Sequence, residues 1–142
     1  MILDTPISAI MTEDVFIIGA GDPVAEVAST FNNHGIRHAP VTSRGHLVGM
    51  LSWVDLKKLP AYDLLQGADG SELDVADAKV VVGDVMTRDP VSVQASDTLR
   101  DLAELLSENE FHAVPVLEGD RIVGIVSTTD LIRYFLEELS GQ

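Results

Sequence analysis

LVGMLSWVDL occupies residues 47–56 and IVGIVSTTDL residues 122–131. The two stretches carry Gly, Ser and Asp in the same order and stand 75 positions apart. Working outward, HAPV at 38–41 meets AVPV at 113–116, and IMTEDV at 10–15 meets VMTRDP at 85–90, always at that offset. The copies align without a gap, from about residue 7 to 59 and from about 82 to 134. Identical pairs include Met11/Met86, Thr12/Thr87, Asp22/Asp97, Pro40/Pro115, Gly49/Gly124, Ser52/Ser127 and Asp55/Asp130. Chance matches drift in register, so a constant register over this length marks an internal duplication.

Each copy has the same sequence of signals. A short β-rich run opens it, Val15–Ile18 in the first copy and Val91–Val93 in the second. Gly21-Asp22-Pro23 and Ser96-Asp97 then read as turns ending in a helix N-cap. The helix that follows has apolar residues at i, i+3, i+4 and i+7: Val24, Val27, Ala28 and Phe31, or Leu99, Leu102, Ala103 and Leu106. A hairpin comes next, Ala39–Thr42 and His46–Leu51 around Ser43-Arg44-Gly45, with its twin around Glu118-Gly119-Asp120. A second helix begins after Ser52 or Ser127. The expected fold is therefore α/β (α+β), two tandem β-α-β-β-α repeats. One repeat alone is too small to bury its faces, so the two are expected to pack sheet to sheet with pseudo-twofold symmetry. The expected boundaries are 1–59 for repeat one, 60–81 for an acidic linker and 82–142 for repeat two. Tyr62, Leu64 and Leu65 are expected to pack part of that linker.

Composition excludes several classes of function. The chain has 142 residues and no cysteine, which removes disulfides, thiol catalysis and cysteine-bound zinc, and makes a cytoplasmic location the expectation. Nine Lys and Arg stand against 23 Asp and Glu, a net charge of −14. The nine are scattered and aromatic residues make up 5%, so there is neither a basic stripe nor a stacking platform for nucleic acid. No apolar run approaches the roughly 18 residues of a membrane span. The opening MILDTPISAIMTEDV lacks a basic n-region and does not read as a signal peptide. The four histidines have no H-x-H spacing, and the one pair four apart, His34 and His38, spans Gly35 at the approach to the hairpin rather than a turn of helix, so no metal site is expected. No nucleophile elbow, P-loop, H-E-x-x-H or G-x-G-x-x-G occurs, and no enzyme activity is expected.

The duplicated unit, with Met-Thr near its start, a Pro-Val strand and G-h-h-S-x-x-D at the last strand-to-helix junction, resembles the CBS domain. Two such domains in tandem resemble a Bateman module. That resemblance implies that AMP, ADP, ATP, NAD or S-adenosylmethionine binds in clefts between the repeats, with no further cofactor. Carried over residue by residue, it gives Asp130 to the ribose and Thr129, Ser127 and Thr12 to phosphate. Ile125 and Ile17 would flank the base, with Ile36, Arg37 and His38 nearby and His112 within reach of a phosphate. A second cleft would use Asp55, Ser52, Thr87, Met50 and the Phe111-His112-Ala113 segment. There Val54 replaces Thr129, so either His38 or Arg37 compensates for the lost hydroxyl, or the cleft takes a nucleoside-like ligand or stays empty.

A carboxylate can accept two hydrogen bonds from a vicinal diol, and a helix N-terminus offers amide donors to an anion. The same Ser-x-x-Asp is also a helix capping box, and spacing does not separate the two roles. Pro40 and Pro115 fit strand-edge geometry, and Gly49 and Gly124 fit bulges or points of close approach. Residues Leu131–Leu139 are apolar on more than one helical face. With Trp53–Leu59 they form the expected homodimer contact, and such pairing is common in the family. The resemblance implies a sensor that changes shape and signals to an effector protein, still unidentified. The alternative is a ligand-free structural module for dimerisation or interaction.

Overall fold

The two hairpins are set by their turns. Arg44 and Gly45 take φ of 53° and 80°, the pair of left-handed residues that lets a two-residue turn match strand twist. They join β2 (His38–Ser43) to β3 (His46–Ser52). In the second copy, Gly119 at φ 64° begins the turn between β6 (Ala113–Glu118) and β7 (Arg121–Ser127). Both hairpins shift register at the same place. Val41 faces Gly49 and Thr42 faces Leu47, leaving Val48 as the extra residue, and Val123 is its counterpart.

The computed structural model describes residues 1–58 and 80–141. By contact the chain divides into two compact units. The continuous unit is Phe16–Pro90, and the split unit joins Met1–Val15 to Val91–Gln142. In the continuous unit, β1 (Ile18–Gly19) runs parallel to β2, β2 pairs antiparallel with β3, and β3 with β4 (Thr87–Arg88). The split unit has the same order, β5 (Val93–Gln94) parallel to β6 and β6 antiparallel to β7. Where β4 would be, it has a single bridge between Thr12 and Ile125.

The units cut across the sequence repeats, because each is completed by the opening segment of the other copy. The hydrogen bonds repeat at the offset of the sequence. Leu99 N–H donates to Thr5 carbonyl and Val24 N–H to Val80 carbonyl. Ile7 N–H donates to Asp97 and Val82 N–H to Asp22, each to the carbonyl. The repeated pattern thus begins upstream of residue 7, at Thr5 and Val80. The acidic linker expected at 60–81, with Tyr62, Leu64 and Leu65, lies outside the described residues except for Val80 and Val81.

Each unit has its own core. α1 (Val24–His34) buries Val24, Val27, Ala28 and Phe31 against Val41, Leu51, Leu56 and Val82. A short α2 (Trp53–Lys57) follows β3, and α3 (Val82–Val85) precedes β4. In the split unit, α4 (Leu99–Glu108) and α5 (Thr128–Ser140) supply Leu99, Leu102 and Leu131 to a core with Ile7, Val114, Val116 and Val126.

The helix caps differ from those expected at Asp22 and Asp97. Asp22 accepts from Gly19 N–H (2.8 Å) and Asp97 from Gln94 N–H (2.9 Å), so both carboxylates close the preceding turn. Pro23 occupies the N-cap of α1, and Thr98 caps α4 in a box with Asp101. The opening strands are also shorter than the apolar runs that announced them. Phe16, Ile17 and Val91 remain exposed outside the ladder.

Candidate functional site

At the β7–α5 junction, Ser127 Oγ accepts from Asp130 N–H (3.1 Å), and Asp130 Oδ2 accepts from Ser127 N–H (2.9 Å). The capping box is therefore formed. Thr128 N–H donates to the His112 carbonyl (2.8 Å). Thr129, exposed, brings a hydroxyl and a first-turn N–H that lacks an intrahelical acceptor. The box uses only one carboxylate oxygen of Asp130. The other lies 3.9 Å from an Arg133 nitrogen, and the side chain keeps 18% exposure. Arg133 was not among the expected site residues, although its i, i+3 spacing from Asp130 on a helix was a usable signal.

Thr12 joins this junction through the backbone. Its N–H donates to Ile125 carbonyl (2.8 Å) and its carbonyl accepts from Ile125 N–H (3.0 Å). Thr12, Ile125, Ser127, Thr129 and Asp130 thus belong to the split unit, as do Phe111, His112 and Ala113. Phe111 is half-buried against the core, Ala113 lies opposite Ser127 in the ladder, and His112 is exposed.

The β3–α2 junction of the continuous unit has the same hydrogen bonds. Ser52 Oγ accepts from Asp55 N–H (3.1 Å), Asp55 Oδ2 from Ser52 N–H (2.9 Å), and Arg37 carbonyl from Trp53 N–H (2.8 Å). Thr87 faces Met50 across the β3–β4 ladder. The chemistry differs at two points. Exposed Val54 stands in place of Thr129, and Lys58 in place of Arg133, with no Lys58–Asp55 ion pair among the described residues.

Ile17, Ile36, Arg37 and His38 also belong to the continuous unit. Ile17 is exposed, and His38 faces Ser52 in the ladder. Ile36 and Arg37 line an open recess of about 180 Å³ with Phe31, Asn32, Gly35 and Trp53. The ring of Trp53 has Lys57 Nζ 5.9 Å from its centroid.

Among the described residues no three His, Asp or Glu side chains gather where they could hold a metal ion. No described helix is long and apolar enough to cross a membrane. Helix α5 is apolar on two faces. Leu131, Tyr134 and Phe135 pack on the core, while Ile132, Leu136 and Leu139 are exposed.

A family model described as the CBS domain matches residues 7–62 and 82–137. An uncharacterized protein of Methanocaldococcus jannaschii, MJ1225, is 32% identical over 130 residues, which are 88% of this chain and 45% of that protein. The chain thus spans less than half the length of that relative. The CBS domain of a CBS-domain-containing membrane protein from Sphaerobacter thermophilus superposes with a TM-score of 0.78 at 28% identity, covering 93% of this chain and 88% of that one. CBSX2 of Arabidopsis thaliana, solved in complex with AMP, has the same fold, with a TM-score of 0.78 at 24% identity over 94% of this chain and 98% of that one. So does the CBS domain pair of protein MJ0100, solved with 5-methylthioadenosine and S-adenosyl-L-methionine, with a TM-score of 0.73 at 24% identity over 94% and 98%.

Proposed function

Because the chain belongs to the CBS-domain family and carries two such domains in tandem, we propose that it is a regulatory module that binds an adenosyl compound through Asp130. The observation that carries this reading is the division of labour within one carboxylate. Oδ2 of Asp130 closes the helix cap, while Oδ1 stays outside the box, 3.9 Å from an Arg133 nitrogen. Capping and ribose binding are therefore compatible in a single side chain. The Thr129 hydroxyl and N–H then face phosphate at the positive end of a 13-residue helix. AMP in CBSX2, and S-adenosyl-L-methionine and 5-methylthioadenosine in MJ0100, support adenosine as the shared element. Val54 supplies no hydroxyl, so the Asp55 junction takes a ligand without phosphate or none. Thr12, Ile125, Ser127 and His112 share the split unit with Asp130, and Ser52, Met50 and Thr87 share the continuous unit with Asp55. Occupancy is relayed by a change of shape to a protein partner in the cytoplasm.

Asp130→Asn separates the two roles of the carboxylate. The amide oxygen keeps the cap, and the NH₂ group takes the place of the diol acceptor. Losing a charge-assisted bond of about 1.5–3 kcal/mol weakens binding about 10–150-fold. Asp55→Asn weakens the same ligand less. Calorimetric titration with AMP, ATP, NAD and S-adenosylmethionine reads both. Wild-type protein that binds none of them would overturn the proposal in favour of a ligand-free interaction module.

The exposed Ile132, Leu136 and Leu139, with Val54 on α2, support a homodimer formed through these helices. Leu59, part of the expected contact, lies outside the described residues. A standard interface of roughly 1,600 Å² holds at ~100 μM. Sedimentation is expected to show a dimer for the wild type and a monomer for Leu136→Glu. A wild-type monomer at that concentration removes the dimer.

A further inference from the structure

The chain has four methionines and no cysteine, so its oxidisable sulfur is all thioether. Met1 is 86% exposed and Met50 is 9% exposed. Met11 and Met86 are half-buried, each packed at the edge of one core, and they hold equivalent places in the two copies. The sulfur of each sits over a glycine. A Cβ at Gly124 would come 2.8 Å from Met11 Sδ and 2.8 Å from Thr12 carbonyl oxygen. A Cβ at Gly49 would strike Met86 Sδ and come 2.8 Å from Thr87 carbonyl oxygen. Each glycine thus lets a methionine sulfur lie directly against the hairpin backbone.

We propose that Met11 and Met86 are a matched pair of oxidation sites, at which sulfoxide formation unseats the short segments carrying Thr12 and Thr87. A hydroperoxide transfers one oxygen to Sδ. Its O–O bond breaks as the S–O bond forms, the sulfur loses two electrons, and hydrogen peroxide leaves as water. The product is polar and its oxygen can only accept hydrogen bonds. In the split unit Met11 Sδ and the Thr12 carbonyl both close on Gly124, and that carbonyl already accepts from Ile125 N–H. Two acceptors then crowd one slot at the edge of an apolar core. The Thr12–Ile125 bridge has only two backbone hydrogen bonds to oppose the separation, whereas Ile7 stays buried and anchors the rest of the segment.

The test treats the full chain briefly with hydrogen peroxide. Peptide masses locate each gain of about 16 Da, and amide exchange reports on the bridges. Met11 and Met86 are expected to oxidise well before Met50. The Thr12 and Ile125 amides, and the Asp89 amide that donates to Val48 carbonyl, are expected to lose protection about tenfold or more. Methionine sulfoxide reductase with a thiol restores protection. Met11→Leu/Met86→Leu, a swap that cores tolerate, keeps it under peroxide. The single Leu variants serve if the double one is unstable. Oxidation of Met11 and Met86 no faster than Met50 overturns the proposal. So does complete oxidation with the three amides unchanged, or equal loss of protection in the Leu variants. None of these readouts requires a ligand.

Discussion

Phe31→Ala is expected to cost about 3–5 kcal/mol, the range for removing a fully buried aromatic ring. Phe31 is 1% exposed and sits where α1 meets β2, β3 and α2, within the core that also holds Val24, Val41, Leu51 and Leu56. A unit of this size has a total stability of roughly 4–11 kcal/mol, so the loss takes a large share of it. The equivalent residue in the second copy, Leu106, is only half-buried. Leu106→Ala should therefore fall below the usual 2–5 kcal/mol of a core leucine. Urea denaturation followed by amide exchange assigns each loss to its unit. Equal losses would mean that the duplicated sequence imposes equal packing despite the different burial.

Gly49→Val and Gly124→Val are each expected to destabilise by about 3 kcal/mol, the upper end for overpacking. The obstacle is double at both places, a methionine sulfur and the carbonyl of the following threonine. Relieving the contact means shifting that carbonyl, which breaks the backbone pairing of its segment. The two glycines lie in separate units and should act additively. Gly21→Ala is the control. No heavy atom lies within 4 Å of its added Cβ, so a gain of about 0.4–1 kcal/mol from a stiffer unfolded chain is expected. Thermal or urea unfolding distinguishes these signs. A neutral Gly124→Val would show that the close approach is not required for folding.

What was legible in the sequence was local. The hairpins follow from Arg44-Gly45 and Gly119, and the capping boxes from Ser-x-x-Asp, because turns and caps are decided within four residues. The helix stripes follow for the same reason. Asp22 and Asp97 were misplaced because an aspartate before a helix can close the preceding turn as well as cap, and only the carboxylate's direction separates the two. The exchange of opening segments was not legible in the residues themselves, and only the family resemblance grouped Thr12 with Ile125 and Asp130, and Thr87 with Met50 and Asp55. The duplication offers each hairpin two Met-Thr segments, and pattern alone cannot say which one it takes. For the same reason, the pairing of Thr12 with Ile125 is not derivable from spacing. Arg133 is legible only through its i, i+3 spacing from Asp130, because an exposed arginine in an acidic chain otherwise looks like ordinary surface charge.

The exchange has a consequence for the order in which the chain comes off the ribosome. The continuous unit is one stretch and can close as soon as residue 90 has emerged. The split unit cannot, because its first fifteen residues are made before any of the rest. At about 5–20 residues per second, Ile7 and its apolar neighbours wait roughly 5–20 s for Leu99, Leu102 and Val116. During that interval one half of the protein is folded while the segment that will plug the other half trails unpaired from its N-terminal end, open to any chaperone that binds short apolar stretches. Vectorial synthesis thus gives two halves of the same fold different folding histories.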